Sequence, residues 1–154
     1  MTYNGIIIKT PFIPYFTTSR YRVETMVELS NIQPNQRVAD LGSGDGRISI
    51  AFGTKGGIVT GYELDEKLFL SSKALIKEKN LEDKVEIFKK DFWEEDLGQF
   101  DMICIYPMPD IMDTLQEKIL KECKKGTKIL TNYYIFSEIE FTKTKNKIYL
   151  YELS

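Results

Sequence analysis

The residues best suited to chemistry in this chain are acids placed around one glycine cluster. Segment 37–50, RVADLGSGDGRISI, carries Gly42, Gly44 and Gly46 between two apolar stretches, with Asp40 just ahead of them and Asp45 among them. Glycines at such a turn let a ligand approach backbone N–H groups, which also carry the positive end of the following helix dipole. A tight turn with no ligand is the plainer reading, and GxG alone does not decide between the two. Two more acids bear on it. Glu63 ends the next apolar run, at roughly the 20-residue spacing of an acid that accepts hydrogen bonds from a ribose diol. Asp91 ends the run after that, beside Phe92 and Trp93, where a carboxylate can accept from an adenine amino group. Any one of them, Asp91 above all, also reads as a helix cap, but three in register with one loop point to a ligand. A dinucleotide site uses GxGxxG, and an acid just ahead of the glycines repels the pyrophosphate. The GxGxG spacing flanked by Asp40 and Asp45 suits instead a cofactor with an amino-acid part and a sulfonium charge, and no phosphate.

Those acids need strands to end on. The sequence predicts strands at 38–41, 58–63, 85–88, 100–106 and 127–133, separated by helices, and two more at 139–142 and 147–153 joined by the polar turn KTKN. FDMICIY, at 100–106, is apolar on both faces after Asp101, as a central parallel strand requires. Pro11 and Pro14 keep 11–16 extended. Thr18 or Ser19 caps a first helix running to about Ser30, with Val23, Met26 and Val27 inward and Asn31 as its stop. A second helix spans about 46–52 and is closed by Gly53. Asp65 caps a third, with Leu68, Ser72, Leu75 and Lys79 on one side, and Asp110 caps a fourth, with Ile111, Leu115, Ile119 and Cys123 in a stripe. Alternating strands and helices with a closing hairpin predict an α/β sandwich with a mainly parallel sheet.

At 154 residues the chain has room for a single domain, 1–154, with 1–35 covering the ligand and 36–154 as the core. Its 42% hydrophobic and 29% charged residues are those of an ordinary globular protein, and neither a membrane span nor a signal peptide is legible, so a cytoplasmic protein is expected. Histidine is absent, which weakens any metal site and removes the commonest general base. Cys104 and Cys123 read as reduced thiols. A net charge of −2 with scattered lysines argues against a nucleic-acid footprint.

At these residues the chain resembles the class I S-adenosylmethionine-dependent methyltransferases. DLGSGDGR matches their D/E-x-G-x-G-x-G loop, YELD and KKDFW the acidic ends of the second and third strands, and FDMICIY the fourth strand before the acceptor site. With PFIPYFTTS ahead of the first helix and IYLYEL near the end, it is similar more narrowly to the small archaeal-type protein-lysine methyltransferases and their mitochondrial relatives. The resemblance implies a Rossmann-like three-layer sandwich and S-adenosylmethionine as cofactor. It implies that Asp40, Gly42, Ser43 and Gly44 hold the methionine part and that a hydroxyl of the N-terminal segment, Thr17, meets the cofactor carboxylate. Glu63 then takes the ribose, Asp91 with Phe92 the adenine, and Leu64 packs on the adenine face. Tyr106 stands where the family's acceptor motif lies, either as a catalytic group or as a wall of the pocket. Its YPMP differs from the NPPY or DPPY of amino-adenine and glutamine methyltransferases.

The expected partner is a protein with accessible lysines, without metal, membrane or nucleic acid. Tyr106, Tyr133 and Tyr134 are the expected lining of an acceptor channel. A methyltransferase acting on RNA or a small molecule is the first alternative, and a non-catalytic cofactor-binding module the second.

Overall fold

In the computed structural model, residues 2–3, 6–7, 18–107 and 109–154 are described, with side chains from residue 18 onward. The expectations for 11–16 and for Thr17 lie outside the described residues. Strand β1 (Thr2–Tyr3) pairs antiparallel with β2 (Ile6–Ile7). Ser19 caps α1 (Arg20–Ser30) by accepting the Arg22 N–H at 3.3 Å, and Asn31 closes it in the left-handed region, which asparagine tolerates better than most residues.

The large sheet contains β3 (Arg37–Leu41), β4 (Ile58–Tyr62), β5 (Val85–Phe88), β6 (Met102–Ile105), β7 (Lys128–Asn132), β8 (Lys143–Lys145) and β9 (Ile148–Glu152). Its order is β5-β4-β3-β6-β7-β9-β8, parallel through β7, with β9 antiparallel to β7 and β8 antiparallel to β9. Helices α2 (Arg47–Thr54), α3 (Glu66–Glu78) and α4 (Met112–Glu122) connect the parallel strands.

Strand alternation sorts side chains to two faces. Ala39, Leu41, Ile103, Ile105 and Ile129 join Leu115 and Ile119 of α4 in one core. Val38, Met102, Cys104 and Leu130 join Val23 and Met26 of α1, Ile48, Ile50 and Phe52 of α2, and Ile76 of α3 in the other. The sandwich therefore has three layers, and β6 is buried on both sides as its composition requires.

Four local expectations are corrected. Gly53 does not close α2 but lies inside it, because a Cβ there would run into the Val85 side chain. The inner face of α3 is centred on Ser72 and Ile76, with Phe69 and Leu75 beside them and Lys79 exposed, since Ser72 is the residue against which Gly46 packs. Asp110 lies in a 3-10 turn, Pro109–Ile111, and α4 begins after it without a side-chain cap. The penultimate strand is β8 rather than 139–142, and its turn is the residue pair Asn146 and Lys147, both left-handed, the backbone of a type I′ hairpin loop. All three β8 residues are exposed, so no apolar alternation announces it.

Candidate functional site

The strand order reverses beside β3, whose neighbours are β4 and β6, so the loop after β3 opens at the position where α/β sheets bind ligands. Register brings the strand ends level: Leu41 pairs with Tyr62 and with Ile105, Tyr62 with Phe88, and Ile105 with Thr131. The residues that follow these ends, 42–46, 63–64, 89–92, 106 and 133, share one edge of the sheet.

The glycine loop adopts left-handed backbone at Gly42 (φ 73°), Gly44 (φ 57°) and Gly46 (φ 85°). A Cβ on Gly42 would meet nothing within 4 Å, so glycine there serves the backbone turn and leaves open space beside the chain. The N–H groups of Gly42 and Ser43 both donate to the Tyr62 carbonyl, at 3.0 and 2.9 Å, and that of Gly44 donates to Glu63 Oε1 at 2.8 Å. Ser43 is buried with its Oγ unpartnered, packed where a Cβ on Gly61 would stand. Arg47, at the start of α2, holds Asp45 and also donates from Nη1 to the Thr18 carbonyl at 3.0 Å, tying the loop to the entry of α1.

Asp40 shares its sheet face with Val38 and points under α2, where Ser49 Oγ donates to Oδ2 at 2.6 Å. It is 2% exposed, and burial pushes its carboxyl up to about 6; the Ser49 bonds oppose this, while Glu63 and Asp45 add to it. A carboxylate so placed lacks a counter-cation.

Glu63 accepts from Gly44 through one oxygen and from the Asp65 N–H through the other, at 2.9 Å, leaving further lone pairs of each oxygen available. Leu64 is 51% exposed. Asp91 Oδ1 caps a 3-10 turn, Phe92–Glu94, through the Trp93 N–H at 3.0 Å, and the half-buried Phe92 packs on Trp93. The cap expected of Asp91 is thus present, and it commits one oxygen of two. The following loop is braced by α4: the buried Lys118 donates to the Glu95 carbonyl and to Glu122, whose other oxygen accepts from the Leu97 N–H.

A second cluster lies past β6 and β7. Tyr106 and Tyr133 meet edge to face with ring centroids 5.7 Å apart. The Arg22 guanidinium, from α1, lies 4.1 Å from the centre of the Tyr133 ring and donates to Asn132 Oδ1 at 3.0 Å. Burial first, then Tyr133, raises the Tyr106 hydroxyl, against the opposing pull of Arg22. Tyr133, Tyr134 and Ile135 are exposed. Sequence reasoning missed Arg22, Asn132, Arg47 and Ser49. Ser49 alone left a signal, as a polar residue in the apolar run ISIAF; the others act through contacts distant in sequence. Among the described residues, no group of His, Cys, Asp or Glu is arranged to hold a metal ion.

A seven-stranded sheet of this kind, with a glycine loop at its switch point and an antiparallel finish, is the Rossmann-like fold of class I methyltransferases. It is shared by a crystal structure of an RNA methyltransferase from Salinibacter ruber with S-adenosyl-L-homocysteine, with TM-score 0.82 and 26% identity over 90% of this chain and 92% of that one. A methyltransferase from Geobacter sulfurreducens, also with S-adenosyl-L-homocysteine, has TM-score 0.66 at 19% identity, covering 82% of this chain and 51% of that one, and shows the fold alone. The ANTKMT methyltransferase domain matches residues 40–143, and the chain belongs to that family of S-adenosylmethionine-dependent methyltransferases. A protein-lysine N-methyltransferase from Saccharolobus islandicus (strain REY15A) is 27% identical over 80% of this chain and 78% of its own length. The human ATP synthase lysine N-methyltransferase is 28% identical over 82% of this chain, which spans 52% of that protein.

Proposed function

We propose that the chain transfers a methyl group from S-adenosylmethionine to the side-chain nitrogen of lysine in a protein acceptor. The observation that carries the reading is the acceptor end of the site: an exposed aromatic surface, Tyr106, Tyr133 and Tyr134, past the central strands. A side chain projecting from a macromolecule can reach it, and the similarity to protein-lysine N-methyltransferases runs through most of this chain.

The residues present fit the cofactor. Its ammonium, sulfonium, ribose hydroxyls and adenine amine are donors or cations, and the site offers a buried carboxylate, two further acids and open space beside Gly42. On this reading Asp40 with Gly42, Ser43 and Gly44 holds the methionine part, with Ser43 setting the loop's shape from below. Glu63 accepts from the ribose, Asp91 and Phe92 hold the adenine, and Leu64 covers it. Thr17 and the rest of 1–35 close over the cofactor, within one domain of 154 residues.

When bound, S-adenosylmethionine supplies an electrophilic methyl on a sulfonium. The chain's own work is to hold the acceptor nitrogen in line and exclude water, since positioning provides most of the acceleration in such a displacement. Lysine Nζ must arrive without its proton. With an ordinary value of about 10.4, roughly one lysine in a thousand is neutral at pH 7.4, equivalent to about 4 kcal/mol. The chain has no histidine to help, so the deprotonated amine is favoured by the surroundings of the site. Unpaired Cys104 and Cys123 support a reducing, cytoplasmic setting, and no helix among the described residues is long and apolar enough to cross a membrane.

The fold match to the Salinibacter ruber RNA methyltransferase favours RNA as a second acceptor. Incubation with methyl-labelled S-adenosylmethionine and cell extract, followed by protease or nuclease, separates the two. Label removed by protease and stable to mild base supports lysine; label removed by nuclease overturns it in favour of RNA.

A further inference from the structure

Arg22 is an unusual arginine. Nη1 donates to the Asn146 carbonyl at 2.7 Å, Nη2 to Asn132 Oδ1 at 3.0 Å and to the Lys147 carbonyl at 3.4 Å, and the Tyr133 ring covers one face. Nε is buried without a partner. Every one of these contacts is neutral. Arginine in protein interiors is ordinarily matched to a carboxylate, and here none reaches it among the described residues.

The surrounding elements do carry acids, but these are engaged elsewhere. On α1, Glu24 pairs with Arg20 and Glu28 with Lys145. Tyr21 accepts from Asn146. Across α2, Asp45 is held by Arg47. The remaining titratable groups on the packed elements are Tyr106 after β6, Tyr133 and Tyr134 after β7, Tyr149 on β9, and Lys143, Lys145 and Lys147 on the hairpin. Around the guanidinium the balance is therefore cationic.

Tyr133 is also held in place. Its φ of 65° is uncommon for a bulky residue, a conformation that persists only where surroundings enforce it. Its N–H donates to the Lys147 carbonyl at 2.7 Å, and the same carbonyl takes a bond from Arg22. Arg22 thus fixes both the ring and the turn that holds its backbone.

We propose that Arg22 is a positioning and specificity residue for the acceptor: laid on Tyr133 with only neutral partners, its charge disfavours an ammonium beside Tyr106 and Tyr133 and admits the neutral amine. The proposal rests on the lysine reading above and deepens it. A cation on one face of an aromatic ring occupies the attraction that a second cation would use, and like charge shifts an amine toward its neutral form. The effect is one of field and placement; Arg22 accepts no proton.

The test compares methyl transfer from labelled S-adenosylmethionine into nuclease-treated extract protein, between pH 6 and 10, for wild type, Arg22→Gln, Arg22→Lys and Asn132→Asp. Asn132→Asp keeps the arginine and its packing but supplies the missing carboxylate, which guards against a misfolded Arg22→Gln. The expected result is that Arg22→Gln and Asn132→Asp move the rising limb of the rate about one unit higher. They then lose about tenfold at pH 7 and approach wild type near pH 10, with the KM for S-adenosylmethionine unchanged, while Arg22→Lys keeps the wild-type profile. Losses equal at every pH, or profiles that coincide with wild type, overturn the role of the charge. Absence of protease-sensitive label with wild type overturns the lysine reading itself, a different outcome from either.

Discussion

Asp40 carries the sharpest expectation at the scale of single residues. Its carboxyl is raised from 3.8 to about 6 by burial, so between those values the folded chain holds a proton that the unfolded chain has released. Stability contributed by this group therefore falls as pH rises through that window, and above it the ionised group costs the fold roughly 3 kcal/mol. Asn at this position can still accept from Ser49 but carries no charge. Asp40→Asn is expected to melt several degrees higher than wild type at pH 7, with the difference gone near pH 4, and to bind no S-adenosylhomocysteine. Thermal unfolding at both pH values, with calorimetry for the ligand, checks this. In the wild type a cationic ligand favours the ionised carboxyl, so affinity for S-adenosylmethionine should weaken below about pH 6, approaching tenfold per unit. Affinity that stays flat from pH 5 to 8 would remove Asp40 from the role of counter-charge.

Among the elements, close approach between layers sets the site's shape. Gly61 of β4 stands opposite Ser43, and a Cβ there would run into Ile87 and lie 3.0 Å from Ser43 Cβ. Gly61→Ala is expected to lose about 1–3 kcal/mol of stability and to weaken cofactor binding by displacing the glycine loop, measured by denaturant unfolding and ligand titration. The same view explains what the sequence made legible. The parallel strands and the acids at their ends could be read because burial on both faces and a glycine loop leave patterns local in sequence, and β6 and Asp65 stand as expected. What escaped was either polar or non-local. β8 is an exposed edge of Lys143, Thr144 and Lys145, a composition that discourages pairing with other sheets and conceals the strand. Gly53 read as a stop because its contact with Val85 is made across the chain. Arg22 gave no local sign at all.

For the molecule as a whole, ligand and fold are linked. If the glycine loop and its acids bind S-adenosylhomocysteine only in the native state, ligand at a hundred times its dissociation constant should add about 2.7 kcal/mol of stability. The corresponding rise in melting temperature is expected in wild type and absent in Asp40→Asn. Residues 40–92 supply every cofactor contact proposed for the sheet edge, whereas the acceptor end depends on Asn132, Tyr133 and the turn at Asn146 and Lys147.

Arg22 and Asn146 are 124 positions apart, so the brace between the first helix and the last hairpin spans most of the chain. Residues this remote meet only after the intervening polypeptide has been ordered. On a ribosome, which delivers the chain from its N-terminus, the segments that hold the cofactor emerge long before the turn that completes the acceptor end. The nascent protein thus acquires the parts for carrying a methyl donor before those for spending it, and its own emerging lysines are not presented to a finished site.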